Sequence, residues 1–271
     1  MQINMPMRSR LIITIPHFNN PTGLMLTIGS INESFSIDII VVDDGSKNIF
    51  NERLVVSKYQ NSGKIFFKYL KENIGVGAAS NYALAFVKKN NYTHIGRLDA
   101  GDICYKNKFF KQLNFLEKNS NIKLVGSWAR AVNNLGKLLF HIKHPTNYDE
   151  IRKKIYLNSM FVNPTVVFDV SVLETVKEYP REYSYAAHDY AFYFKVVKKY
   201  ECANLAEVLL DYVIDVNSIS SKNRKLQVKN RIKIILDNFT FGIYPIYGLL
   251  RSLILYLFSR SFLNYVKSKI N

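Results

Sequence analysis

Asp43 and Asp44 end an aliphatic run, Ile39-Ile40-Val41-Val42, and Gly45 and Ser46 follow at once. Two like charges at the mouth of a strand repel each other and add nothing to packing. A ligand outside the strand is the better reason for them. Farther along, Asp99 and Asp102 bracket Ala100 and Gly101, and Asp189 follows His188 ahead of an aromatic-rich stretch. Carboxylates placed in this way suit a general base, a ribose hydroxyl or a divalent metal bridging to phosphate. Phosphate cradles would place glycines and cations there instead.

The elements that must carry these residues are legible from periodicity. Residues 11–16, 37–42, 65–70, 94–98 and 123–126 read as strands, and helical patterns separate them. The clearest helix is predicted over 76–89, where Ala79, Ala83, Phe86 and Val87 form an apolar stripe. Strands alternating with helices imply an α/β fold with a mainly parallel sheet built from right-handed crossovers. Ligands in such sheets bind beyond the carboxyl ends of the strands. Pro16 and Phe18, Asp43 and Asp44, and Asp99 all fall at such ends.

The alternation breaks down after about residue 127. Residues 127–145 read as a hairpin turning at 133–136, 149–157 as a helix, 161–169 as strand-like, and 188–200 as a helix with Tyr190, Phe194 and Val197 on one face. Two halves are expected within 1–218, one over about 10–127 and one over 128–218. A basic, amphipathic helical extension over 219–271 follows them.

Composition bounds the function. The chain of 271 residues has 48% hydrophobic and 14% aromatic residues, which fits a folded core. Its 37 Lys and Arg against 21 Asp and Glu give a net charge of +16, favouring anionic partners. The two cysteines, Cys104 and Cys202, have no metal-ligand spacing and suggest a reducing compartment. No secretory signal and no uninterrupted apolar run of about 20 residues is seen, so a bilayer-spanning helix is not expected. The stretch over 243–258 contains Pro245, Gly248 and Arg251 and reads as interfacial. The expected location is cytoplasmic, on the inner face of the membrane.

Taken in order, the motifs resemble the bacterial family 2 glycosyltransferases, nucleotide-sugar-dependent enzymes of the GT-A fold. LIITIPHFNNP matches the family's first strand and Pro-x-aromatic-Asn loop, IDIIVVDDGSKN its most recognisable segment, and ENIGVGAASNYAL its Glu-Asn-x-Gly helix start. RLDAGDI occupies the place of the metal-binding Asp-x-Asp motif, VNPTVVF matches the acceptor side, and AAHDYAFYFKV matches the helix bearing the base. The resemblance covers about residues 10–220 and implies a nucleotide-binding half over about 10–127 and an acceptor half over 128–218.

It implies that Asp44 accepts from the uracil imide with Asp43 nearby, and that Pro16 and Phe18 shape the base pocket. Gly75 and Gly77 would let the chain pass the diphosphate, with Asn81 also on the donor side. Asp99 and Asp102 would hold Mn²⁺ or Mg²⁺, Asn163 and His188 would face the acceptor, and Asp189 would be the catalytic base. Three departures stand out: Gly101 in place of the usual metal-binding Asp, His188 in place of Glu, and Ser80 in place of an Arg.

The expected activity is inverting transfer from a nucleotide-diphosphate sugar, UDP-linked by preference, to a glycan or lipid-linked hydroxyl in bacterial surface polysaccharide synthesis. An anionic membrane surface is a further expected partner. The alternative is a non-catalytic nucleotide- or glycan-binding relative acting at the membrane. Nucleic acid is not an expected partner, because the candidate crevice is acidic and the conspicuous basic run lies near the C-terminus.

Overall fold

The computed structural model describes residues 10–214 and 223–258. The N-terminal residues 1–9, part of the basic stretch (215–222) and residues 259–271 lie outside the described residues. A nine-stranded sheet in the order β3-β2-β1-β4-β8-β6-β9-β5 forms the centre, with β7 paired to β6. The strands are β1 (Leu11–His17), β2 (Asp38–Asp43), β3 (Ile65–Tyr69), β4 (His94–Arg97), β5 (Ile103–Cys104), β6 (Ile122–Val132), β7 (Leu138–Ile142), β8 (Val167–Asp169) and β9 (Glu201–Val213). The helices are α1 (Pro21–Gly29), α2 (Glu52–Lys58), α3 (Val76–Lys88), α4 (Lys108–Lys118), α5 (Tyr148–Lys154), α6 (Val172–Thr175), α7 (His188–Val197), α8 (Arg224–Asp237) and α9 (Ile243–Leu257).

The first four strands in the sheet run parallel, with β1 between β2 and β4. Antiparallel β8 then separates β4 from β6, so β6 keeps the direction of β4 without touching it. β9 lies parallel to β6. Two differences from the sequence expectation follow. The stretch read as strand over 161–169 is a 3₁₀ turn, Asn163–Thr165, before a three-residue strand. Strand β9 has no counterpart among the expected elements, because its register with β6 shifts repeatedly and its sequence, ECANLAEVLLDYV, lacks clean alternation.

Both faces of the sheet are covered, which explains the unbroken aliphatic run of β2. Ile39 and Val41 pack with Leu24, Ile28 and Val55 of α1 and α2 on one side. Ile40 and Val42 join Ala79, Ala83 and Val87 of α3 and the aromatic α7 on the other. Each such side chain contributes about 1.5–3 kcal/mol on full burial.

Helix α3 is tied to the half of the chain beyond residue 128 by one amide. Asn81 Nδ2 donates to the Tyr179 carbonyl at 2.8 Å, and the Tyr179 N–H donates back to Asn81 Oδ1 at 2.8 Å. At the other end of the chain, α8 and α9 pack together and dock on the same half. Asn230 donates to the Ala186 carbonyl and Arg251 to the Leu157 carbonyl. Asn81→Ala should lower unfolding stability by about 1–3 kcal/mol, because it strands two buried backbone groups. Urea denaturation of the variant measures this directly.

Candidate active site

The β1–β2 register places Pro16 beside Val42 and His17 beside Asp43, at the carboxyl rim of the sheet. His17 and Asp43 are both buried, with Nδ1 2.7 Å from the Asp43 carboxylate. His17 Nε2 accepts from the Asn20 N–H at 3.2 Å, so Nδ1 carries the proton given to Asp43. The other Asp43 oxygen accepts from the Ser46 N–H. The motif thus closes on itself, and the Phe18 ring is left partly exposed just outside it.

Asp44 is turned toward the next loop. Its carboxylate accepts from Asn73 Nδ2 (3.0 Å), the Ile74 N–H (2.9 Å) and the Gly75 N–H (3.0 Å). Burial pushes its carboxyl above the usual range, while the N–H groups of Ile74 and Gly75 pull it back. Gly75 adopts φ +92° immediately before α3, and a Cβ there would lie 2.8 Å from the Ser184 carbonyl. Only glycine passes at this point. Gly77 donates its N–H to the Ser184 carbonyl, and its Cα approaches His188 closely enough that a Cβ would lie 2.7 Å from the His188 Cβ. The loop anchored by Asp44 therefore runs against the segment leading into Asp189.

Asp99 follows β4 and keeps 37% of its side chain exposed. Asn163 Nδ2 reaches both carboxylate oxygens, at 3.3 and 3.5 Å, and Tyr193 Oη fixes Asn163 with a 2.7 Å bond to its Oδ1. The 99–102 loop is braced from α1: Asn20 Nδ2 donates to the Ala100 carbonyl, Thr27 Oγ1 donates to the Asp102 carbonyl, and the Gly101 N–H donates to Thr27 Oγ1. Gly101 has φ +122°. Asp102 faces away from the rim. It is buried, one oxygen accepts from the Val213 N–H at 2.9 Å, and the other has no partner. Desolvation, with Asp99 adding to it, holds this carboxyl well above the usual range.

Asp189 is half-buried in the first turn of α7, where the helix dipole favours an anion. Its carboxylate forms no hydrogen bond among the described residues. His188 is buried beside it, and burial lowers its imidazole, so it is neutral.

The rim gathers Pro16, Phe18, Asp43, Asp44, Gly75, Asp99 and Asp189. Other predicted site residues lie behind it. Asn81 is committed to Tyr179, His188 is enclosed, and Asn163 holds Asp99. No cluster of three or more His, Cys, Asp or Glu able to hold a metal occurs among the described residues. Sequence reasoning missed His17, Thr27 and Arg97. The last was signalled by a charge inside an otherwise apolar strand, HIGR.

With this geometry in view, comparison with known proteins is informative. Residues 12–176 match the family described as Glycosyl transferase family 2. The chain belongs to that family. The resemblance read from its motifs holds. The chain is 28% identical over 178 residues to an uncharacterized glycosyltransferase of Methanocaldococcus jannaschii, covering 65% of this chain and 59% of that protein. It is 29% identical over 178 residues to the UDP-Gal:alpha-D-GlcNAc-diphosphoundecaprenol beta-1,3-galactosyltransferase of Escherichia coli, covering 64% of this chain and 62% of the relative. The chain thus spans about three-fifths of the length of these two relatives. Among solved structures, Staphylococcus aureus TarS 1–349 in complex with UDP-GlcNAc superposes with a TM-score of 0.66 at 18% identity, over 93% of this chain and 74% of that one. That likeness shows the fold, the expected GT-A type with a mostly parallel, Rossmann-like sheet.

Asp102→Asn tests whether that carboxyl is a charged ligand or a neutral latch. A raised pKa makes the folded state hold its proton after the unfolded chain has lost one, so wild-type stability falls as pH rises above the ordinary value of 3.8. Asn removes that loss and keeps the bond to Val213. The melting temperature of Asp102→Asn should match or exceed wild type, with the advantage growing as pH rises above 3.8.

Proposed function

We propose that this glycosyltransferase moves a sugar from a UDP-sugar to a hydroxyl of a glycan or lipid-linked acceptor, with inversion, in bacterial surface polysaccharide synthesis. The observation that carries the reading is that the 73–77 loop, anchored by Asp44, packs on the segment leading into Asp189, while Asp99 stands exposed at the carboxyl end of β4. The two named matches support the donor class: the E. coli relative is named for UDP-Gal and a diphosphoundecaprenol-linked acceptor, and the TarS structure holds UDP-GlcNAc.

Pro16, Phe18 and the buried Asp43–His17 pair shape the nucleotide-base end of the crevice, and the Asp44-anchored loop turns past the diphosphate. Asp189 takes the acceptor proton as its oxygen attacks the anomeric carbon and the bond to the diphosphate breaks on the opposite face. Asp99, exposed at the rim, would be the residue that holds a Mg²⁺ or Mn²⁺. Such an ion would supply positive charge toward the leaving group. Asp102, turned to Val213, does not fit that role.

The helical extension supports a peripheral place on the cytoplasmic membrane face. None of the described helices is long and apolar enough to cross a membrane. Helix α9 turns Pro245, Gly248 and Ser252 inward and presents Ile243, Ile246, Tyr247, Leu250, Leu253, Ile254 and Leu257 to solvent. Their spacing makes one continuous apolar stripe. On α8, exposed Lys225, Lys229 and Lys233 recur every four residues, and each cation near an anionic leaflet contributes about 1 kcal/mol.

A thermal-shift panel of UDP-, GDP- and dTDP-sugars with and without Mn²⁺ should show a UDP-sugar shift enlarged by the metal. In Asp189→Asn, UDP binding should persist while transfer falls ~10²–10⁴-fold. Normal turnover by the folded variant would remove the assigned base. Binding without turnover in the wild-type chain would favour the non-catalytic alternative. In flotation with vesicles rich in phosphatidylglycerol, wild type should rise with the lipid and the Leu250→Glu/Ile254→Glu variant should stay behind. Equal recovery of the two would exclude α9 as the membrane-facing surface.

A further inference from the structure

Strand β4 devotes a fully enclosed position to Arg97, and none of the roles assigned so far uses it. The guanidinium lies between the sheet and α3. Nη1 donates to Thr14 Oγ1 at 3.1 Å and to Ser80 Oγ at 3.2 Å, and Nη2 stands 3.6 Å from Asp99 Oδ1. Nε and Nη2 find no hydrogen-bond partner among the described residues. The Tyr179 ring lies 5.6 Å from the guanidinium carbon, and the His188 ring is 5.4 Å from the Tyr179 ring. Tyr179 Oη and His188 Nε2 are unpartnered as well, so four orphaned polar atoms belong to one buried knot.

A buried cation with free N–H groups is a poor stabilising device. Desolvating it costs several kcal/mol, and apolar replacements of buried charges are often neutral or stabilising. Its charge is the better reason for its presence. Its Nη2 stands 3.6 Å from Asp99, and the Tyr179 ring beside it leads to His188, the chain neighbour of Asp189. Asp99 and Asp189 are the two carboxylates the proposed reaction needs. They repel each other, and an incoming diphosphate adds more negative charge to the same crevice.

We propose that Arg97 is the positioning residue of this site. Anchored by Thr14 and Ser80, it holds Asp99 from behind while Asn163 holds it from the acceptor half, and it provides the fixed positive charge that keeps Asp99 and Asp189 in place as the anionic donor arrives. Arg97 is buried and touches neither donor nor acceptor, so it acts through Asp99. The inference rests on the assignment of Asp99 and Asp189 in the proposed function.

The test uses the full chain with Arg97→Met, Arg97→Lys and the pair Ser80→Arg/Arg97→Met. Ser80 Oγ lies against Nη1, so an arginine at 80 can return a guanidinium to the same corner. Melting temperature, UDP affinity by calorimetry with and without Mn²⁺, and kcat and KM for UDP-GlcNAc hydrolysis are measured. Arg97→Met should keep or raise the melting temperature, lower kcat ~10–100-fold and lose the Mn²⁺-dependent gain in UDP affinity, as expected when a residue supporting a ligand is removed. The Lys variant, lacking the planar fork, should fall between the two, and the paired variant should recover most of the lost rate.

Wild-type kcat in Arg97→Met overturns the proposal. So does a joint loss of melting temperature and kcat that the pair does not restore, which would mark an architectural residue. If Arg97→Met does not fold, Thr14→Val removes one anchor alone: reduced kcat at unchanged melting temperature supports the role, and unchanged kcat overturns it. A wild-type chain that turns over no nucleotide sugar would count against the proposed function instead.

Discussion

The candidate site depends on a buried carboxylate that accepts three N–H groups from the following loop. Asp44, at the end of β2, draws Asn73, Ile74 and Gly75 onto itself and so fixes where α3 begins. A buried anion is tolerable when its lone pairs are filled in this way. The N-terminus of α3 then packs on Ser184 and His188, which places Asp189 over the same rim. Loss of that carboxylate would release the loop, and the two halves of the chain would lose their common edge.

The rest of the rim follows one pattern, in which polar side chains brace backbone from neighbouring elements. His17 locks Asp43, Thr27 and Asn20 brace the 99–102 loop, and Asn163 with Tyr193 orients Asp99. The groups left open are the ones proposed to meet ligand: Phe18, the outer face of Asp99, and Asp189. Carboxylates held in advance of the donor need little reorganisation when charge moves during reaction. The enclosed Arg97 fits the same economy of motion, since a cation fixed in the sheet cannot follow the substrate out.

Much of this architecture is legible in the amino-acid sequence. Strands β1 and β2 announce themselves by aliphatic runs and helix α3 by a 3.6-residue stripe, because burial on both sheet faces leaves little room for polar residues. Legibility fails where pairing is non-local or irregular. Antiparallel β8 is three residues long, and β9 slips register against β6, so neither leaves a periodic mark. Site roles are harder to read than elements. Asn81, His188 and Asp102 have the residue types of ligand-binding groups, yet the first ties down a backbone, the second is enclosed, and the third latches β9.

Local chemistry along the chain determined the parallel half of the sheet, the family, and the carboxylates worth suspecting, since hydrophobic period and turn residues are properties of neighbours in sequence. Tertiary structure decided which carboxylates remain open to a ligand, that β6 joins the sheet through an antiparallel intermediary, and that a lone arginine stands behind the rim. Those outcomes turn on desolvation and on hydrogen bonds between residues 26 to 111 positions apart, and no stretch of sequence carries that information by itself.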